Sequence, residues 1–172
     1  MAKNSNKIGK NFEIKLSDKF NEYRKNKLAF ISKVPTDWVV IRGTKGKIVT
    51  AYPRGKSEFL DYCGCLKNGE VVFIEAKSCN NSTSFPLSNI KPYQFELIEE
   101  YLNYTDRVYM IVEMRQTNEV FLFNAKLLLN FEEVYNRKSI PLKWLQDNCI
   151  KVNDLDILKY IKEGRIQYVL SC

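Results

Sequence analysis

Ile8, Phe12, Leu16, Phe20 and Tyr23 recur every three or four positions with lysine and asparagine between them. That period predicts an amphipathic helix over residues 8–31. Gly9 is a poor interior residue, so the regular helix is expected to begin nearer Lys10. Pro35 stops the element. Two short β-rich runs follow, Trp38-Val39-Val40-Ile41 and Ile48-Val49-Thr50-Ala51-Tyr52, around the glycine-punctuated Arg42-Gly43-Thr44-Lys45-Gly46-Lys47. They predict a hairpin with a cationic tip. A second basic turn, Pro53-Arg54-Gly55-Lys56-Ser57, leads to Asp61. The apolar run Val71-Val72-Phe73-Ile74 continues directly into Glu75-Ala76-Lys77 and predicts a strand over residues 71–78, with a turn near Lys67-Asn68-Gly69 before it. Residues 79–89 form a polar loop interrupted by Phe85-Pro86-Leu87. Pro92 opens a helix over residues 92–104 with Phe95, Ile98 and Leu102 on one face and Gln94 in its first turn. Strands are expected over residues 108–115 and 119–124, and helices over 125–135, 141–146 and 154–163, the last capped by Asp154 and closed by Gly164. Helix, strands, helix, strands and helices in that order predict an α/β domain, a mixed sheet covered by helices.

Composition narrows the class. A chain of 172 residues suits one domain and buries roughly 70% of its unfolded surface, enough for a core without staples. No apolar run approaches the ~20 residues that cross a bilayer, and Met1-Ala2-Lys3-Asn4-Ser5 leads into no signal-peptide core. A cytoplasmic protein with no membrane association is expected. Five cysteines, an odd number with no CxxC pair, read as free thiols in a reducing compartment. There is no histidine, which excludes Ser-His-Asp and Cys-His nucleophile systems and histidine-based nucleases. Any general base must be a carboxylate, a lysine, a tyrosine or a metal-bound hydroxide. Charge is uneven: residues 1–57 hold 14 Lys/Arg against four acids, and residues 58–172 hold 13 against 16. A basic end on a mildly acidic remainder points to a polyanionic partner met by one part of the molecule.

One constellation carries chemistry. A strand directs every second side chain to one face, so Glu75 and Lys77 point the same way. Asp61 lies far enough upstream to sit on a neighbouring antiparallel strand. Two carboxylates and an ammonium then converge at one sheet edge. Asp61 and Glu75 are hard oxygen donors suited to Mg2+, and the Ala76 carbonyl could add a third oxygen. Lys77 could hold the attacking water or stabilise the charge that builds on a phosphoryl group. A strand Glu-x-Lys by itself is a weak signal, more often a surface ion pair. The upstream acid and the basic N-terminal region favour phosphodiester cleavage.

These residues resemble the PD-(D/E)XK nuclease superfamily and, more narrowly, RecU-type Holliday junction resolvases, over nearly the whole chain. Asp61-Tyr62-Cys63-Gly64 resembles the family's Asp-Tyr-x-Gly stretch, and Phe73-Ile74-Glu75-Ala76-Lys77 its Phe-Glu-Ala-Lys segment with one extra apolar residue. Phe85-Pro86-Leu87-Ser88-Asn89 followed by Gln94 is similar to its Phe-Pro-Leu-x-Asn run ending in Gln. Gly9 to Glu13 is similar to the glycine-then-glutamate pattern of its first helix. The resemblance implies a restriction-endonuclease-like core with a protruding basic β-hairpin stalk. Residues 1–172 would form a single nuclease domain, with residues 33–57 as the stalk insertion. It implies a homodimer that cuts DNA four-way junctions in recombination with Mg2+, or Mn2+ in its place. Asp61, Glu75 and Gln94 would bind the metal, Lys77 would be the transition-state stabiliser and Glu13 an auxiliary acid. Arg42, Lys45, Lys47, Arg54 and Lys56 would contact DNA from the hairpin. Without the resemblance, Gln94 reads as a helix cap or a surface residue and Glu13 as a solvated one, while Tyr62 and Trp38 could stack on exposed bases but read more readily as core or hairpin packing residues.

Two positions depart from the family pattern. Leu60 stands where the superfamily has a proline before the metal acid, and Phe59 where the family has a metal-contacting threonine. Phe59 cannot ligate, and a water could take the place. The alternatives are a restriction- or flap-type DNA nuclease of the same fold, or a non-catalytic junction-binding modulator of recombination.

Overall fold

Phe12, Leu16, Phe20 and Tyr23 turn one face of a long first helix, α1 (Ala2–Lys25), into the core, each 3% exposed or less. Burying a side chain of that size contributes roughly 2 kcal/mol. The computed structural model describes residues 2–35, 38–53 and 55–162, and of residues 2–9, Pro53 and Lys162 only the backbone. Helix α1 begins at Ala2, ahead of the start expected near Lys10, and runs through Gly9; the Ile8 side chain and the predicted helix end at Gly164 lie outside the described residues.

Helix α1 stops at Lys25, six residues before the predicted end. Lys27 takes a left-handed conformation (φ 55°), the Leu28 N–H donates to the Tyr23 carbonyl at 2.9 Å, and the Lys27 N–H donates to that of Arg24 at 3.1 Å. This is a Schellman stop built on lysine instead of glycine. Residues 29–33 then form an unpredicted edge strand, β1 (Ala29–Lys33), with Ala29 and Ile31 buried and Phe30 exposed.

The hairpin appears as expected. Strands β2 (Trp38–Arg42) and β3 (Ile48–Pro53) pair antiparallel, from Trp38↔Pro53 to Ile41↔Thr50, around a short 3-10 turn at Thr44–Gly46. They form a two-stranded sheet of their own. Trp38, Val40, Ile41, Ile48, Val49 and Tyr52 are all exposed, so no core lies beneath the ribbon. Trp38 is therefore not a core residue.

Among the described residues the main sheet has six strands, in the spatial order β1, β4 (Tyr62–Leu66), β5 (Val71–Cys79), β7 (Val108–Met114), β8 (Glu119–Asn124) and β10 (Ile150–Lys151). Strand β4 (Tyr62–Leu66) pairs antiparallel with β1 on one side and with β5 (Val71–Cys79) on the other. The β4–β5 turn is where the sequence placed it, with Gly69 at φ +86°. Gly64 is required by close packing: a Cβ there would sit 2.0 Å from the Phe30 carbonyl oxygen on β1.

After β5 the chain makes a short strand, β6 (Ser84–Pro86), a 3-10 turn at Leu87–Asn89, and helix α2 (Pro92–Leu102). It returns as β7 (Val108–Met114), parallel to β5, then reverses into β8 (Glu119–Asn124). The predicted helix over 125–135 is two short ones, α3 (Lys126–Leu129) and α4 (Phe131–Tyr135). Strand β9 (Ser139–Pro141) pairs with β6, helix α5 (Leu142–Asn148) follows, and β10 (Ile150–Lys151) closes the sheet against β8. The last predicted helix starts late, as α6 (Leu158–Lys162), because Asp154 and Leu155 both adopt positive φ and make a turn instead of a cap.

Both sheet faces are buried. Val72, Ile74, Ala76, Tyr109, Ile111 and Leu122 pack with α1 and α6; Met110, Val112, Phe121 and Phe123 pack with α2 to α5. That explains why these strands read as nearly continuous apolar runs. Glu75 and Lys77 fall in the alternate register to Val72, Ile74 and Ala76, and so project to the α2 side.

Candidate active site

The site forms where β4 and β5 part. Their ladder runs to Tyr62↔Ile74. At Asp61 the main chain leaves it, and the side chain takes over: Oδ2 accepts the Ala76 N–H at 3.0 Å, while the Asp61 N–H donates to Glu75 Oε2 at 3.3 Å. The Asp61 carbonyl accepts the Val34 N–H at 2.9 Å just beyond β1. Three strands thus fix one aspartate, and the two carboxylates share a backbone-anchored corner.

Lys77 and Gln94 complete the cluster. Lys77 Nζ lies 2.7 Å from Glu75 Oε1 and donates to Gln94 Oε1 at 3.0 Å. Gln94 Nε2 donates to Glu75 Oε1, and Gln94 Oε1 also accepts the Lys91 N–H at 3.0 Å. Gln94 is buried in the first turn of α2, so the start of that helix locks the cluster from above. Its amide oxygen serves Lys77 and the helix start here, which joins the helix-start role read from sequence to contact with the acidic pair.

Glu13 faces the same cleft from α1. Its carboxylate pairs with Lys33 at the end of β1, and its main-chain carbonyl accepts the Tyr62 hydroxyl at 2.9 Å. Tyr62 is fully buried and packs edge-on against Phe20 at 5.0 Å, so its role is packing, as the sequence suggested. The Asp61-Tyr62 dipeptide therefore positions the acid directly and Glu13 through the helix turn that carries it.

Burial raises Asp61 above the usual carboxylate range, opposed by the Ala76 N–H and the Lys77 ammonium and assisted by Glu13. Burial, then the charge of Asp61, pushes Glu75 up to about 7 against the pull of Lys77. The buried Glu75 and the half-buried Asp61 share one ammonium, an arrangement short of positive charge. Among the described residues no group of three or more His, Cys, Asp or Glu side chains gathers, so a cation here would draw on two carboxylates plus amide, main-chain or water oxygens. A hard divalent ion that keeps several waters fits such a donor set.

The cleft measures about 390 Å³ and is lined by Glu13, Lys33, Phe59, Asp61, Tyr93 and Gln94 among others. Phe59 is half exposed on its wall. Leu60 is buried in the α2-side core, so the position where the superfamily has proline is a packing position in this chain. Lys33, Lys91 and Tyr93 are cleft residues that the sequence reading missed. Lys33 is hidden because the helical period runs on to residue 31 and the predicted hairpin insertion begins at residue 33, so no edge strand is expected there. The other two sit beside Gln94, the only signal that could have found them.

Of the hairpin cations, Arg42 bonds the Gly46 carbonyl at 3.1 Å, and Lys45 and Lys47 are exposed at the tip. Lys56, at the foot, lies 3.7 Å from Glu96 of α2, and both side chains are largely exposed. Arg54 lies outside the described residues. No described helix is long and apolar enough to cross a membrane.

The recombination protein U (RecU) family model matches residues 7–169 of the chain. The chain belongs to the RecU family. It is 30% identical to the Holliday junction resolvase RecU of Streptococcus mutans over 151 residues, covering 84% of this chain and 76% of that protein. It is 29% identical to the Lactococcus lactis enzyme of the same name over 164 residues, covering 91% and 76%. The Oceanobacillus iheyensis resolvase is 27% identical over 183 residues, covering 99% and 89%. The family resemblance read from Asp61-Tyr62-Cys63-Gly64, Glu75-Ala76-Lys77 and the Phe85-Pro86-Leu87 segment is therefore correct.

Proposed function

We propose that this chain is a divalent-metal-dependent endonuclease that resolves DNA four-way junctions in recombination, acting as a cytoplasmic homodimer. The observation that carries the reading is the Asp61–Glu75 corner with Lys77 against it, in a chain of the RecU family. Asp61, Glu75 and Gln94 would hold the metal, Mg2+ or Mn2+ in its place. Asp61, Glu75 and Lys77, gathered on a mixed sheet flanked by helices, would make up a PD-(D/E)XK site. When bound, the ion would supply a water acidic enough to attack at neutral pH and would neutralise phosphoryl oxygens.

The residues divide the remaining work. Asp61 and Glu75, fixed to the main chains of β4 and β5, need no reorganisation to offer their oxygens. Lys77 stands on the face of Glu75 with its ammonium already inside the cluster, where it would orient the attacking water and stabilise charge building on the phosphorus. Glu13, held by Lys33, would be the auxiliary acid. We infer that residues 1–172 act as one nuclease domain. Within it, residues 33–57 would be a basic insertion whose Arg42, Lys45, Lys47, Arg54 and Lys56 grip the junction as a stalk.

The test is direct. Purified protein is incubated with labelled four-way junction, flap and linear duplex of matched sequence, with and without Mg2+, and the nicks are mapped. Paired symmetric nicks confined to the junction and dependent on the metal are expected. Equal rates on all three substrates would replace the resolvase reading with a general nuclease. Binding without cutting at any metal concentration would leave a non-catalytic binder.

A further inference from the structure

Three lysines stand around the cleft, and they are not equivalent. Lys77 is committed to Glu75 and Gln94, and Lys33 to Glu13. Lys91 has no carboxylate partner among the described residues, although it lines the same cleft and is exposed. Its ammonium lies near the ring of Tyr93, with Nζ 5.7 Å from the ring centroid. Tyr93 forms part of the cleft wall and also lines the adjoining groove with Lys56, Ser57, Glu58 and Glu96. No described residue hydrogen-bonds the Tyr93 hydroxyl. A cation and a phenolic donor, both unspent, thus flank the first turn of α2 beside the acidic corner.

We propose that Lys91 and Tyr93 form a phosphate-recognising pair that holds the DNA backbone at the cleft. An ammonium supplies a point charge to a phosphodiester, and a neutral phenol donates one hydrogen bond to a non-bridging oxygen. The surrounding chemistry favours this occupant. The acidic corner repels a phosphate, so a strand entering the cleft needs a cation not already neutralised by a carboxylate. Lys91 is that cation among the described residues. Tyr93 stands between cleft and groove, where a strand passing from one to the other would cross it. The pair is a binding and positioning device; the chemistry stays with Asp61, Glu75 and Lys77.

The inference rests on the nuclease reading, and its test separates the two. Junction affinity is measured without metal across a salt series for the wild type, Lys91→Gln and Tyr93→Phe, and steady-state cleavage is measured with metal. Lys91 serves the helix start through its main-chain N–H, so Lys91→Gln leaves the bond to Gln94 in place. Thermal melting of each variant checks that the fold is kept. Lys91→Gln is expected to flatten the slope of log affinity against log salt by about 0.9, as when one phosphate fewer is neutralised. It should raise KM roughly tenfold, as expected for a hydrogen bond to a charged group, with kcat kept within about twofold. Tyr93→Phe should raise KM by a smaller factor and leave the salt slope unchanged. An unchanged slope and KM for Lys91→Gln, in a wild type that binds and cuts, would overturn this inference alone. A drop in kcat at constant KM would overturn it too, because it would put Lys91 in the chemistry. A wild type that neither binds nor cuts DNA would remove both readings.

Discussion

The cleft and the hairpin place charge in opposite ways. In the cleft, Glu75 is buried and Asp61 half-buried, both are tied to the main chains of adjacent strands, and Lys77 and Gln94 hold the cluster. In the hairpin, Lys45 and Lys47 stand in water on a ribbon whose two strands, among the described residues, pair only with each other. The first arrangement costs stability and delivers fixed geometry. The second costs almost nothing and delivers only field. Chemistry at a phosphorus atom needs positions good to a fraction of an ångström, whereas attraction of a polyanion needs charge within a Debye length, about 8 Å at physiological salt.

If that division holds, breaking the cleft should destroy turnover and spare binding. Lys77→Ala and Asp61→Asn are each expected to lower kcat by at least about 10²-fold, the scale of losing a preorganised electrostatic group. Junction affinity measured without metal should stay within about twofold, since neither side chain is among the exposed hairpin cations. A cleavage time course beside a gel-shift titration checks both halves. A variant that cuts normally would remove the site assignment.

The sheet beneath the cleft offers the next test. Gly64→Ala would force a methyl carbon to within 2.0 Å of the Phe30 carbonyl, so β1 or β4 must shift. Overpacking against backbone costs about 3 kcal/mol. Because β1 carries Lys33 and β4 follows directly from Asp61, activity should fall together with the denaturation midpoint. Stability lost with full activity retained would mean that the cleft does not depend on the register of these two strands.

The acidic pair also predicts a pH effect. Glu75 is raised from 4.5 to about 7 in the folded chain, with burial the first cause and Asp61 the second. The folded state therefore binds that proton more tightly than the unfolded one. Its contribution to stability is fully present below pH 4.5 and is lost as pH rises through 7. Metal-free protein should lose about 2 kcal/mol between about pH 5 and about pH 8 from this pair, given about 1.36 kcal/mol per unit and the sharing of charge with Asp61. Glu75→Gln should flatten that fall, and added Mg2+ should offset it in the wild type. Melting curves across pH with chelator or Mg2+ measure both. A wild type whose stability rises over this window would show that the corner is not a strained acidic pair.

The same contrast explains what the sequence made legible. Asp61, Glu75 and Lys77 could be found because a strand's period of two fixes direction and because a Gly69 turn set the β4–β5 pairing. The hairpin was visible from its glycines and its alternation of apolar and basic runs. Strand β1 was missed because α1 stops on Lys27 in a left-handed conformation that no local rule assigns to lysine. The late start of α6 has the same cause at Asp154 and Leu155. Strands β6, β9 and β10 are two or three residues long and exist through their partners, so no window of sequence contains them. Lys33, Lys91 and Tyr93 reach the cleft only through that long-range packing.

The hairpin gives the smallest change in stability and the cleanest separation of field from geometry. Lys45→Gln and Lys47→Gln alter exposed side chains with no packing beneath them, so each should change the unfolding free energy by less than about 0.5 kcal/mol. If each neutralises one phosphate, each should flatten the slope of log affinity against log salt by about 0.9, and the double variant by about twice that. The kcat on saturating junction should be unaffected, because neither lysine is among the residues lining the cleft. Additive slopes with constant kcat would mean the ribbon acts as a set of independent charges. A single substitution that lowers kcat would instead mean that the ribbon orients the strand for cleavage, and the division between field and geometry would then run through the hairpin itself.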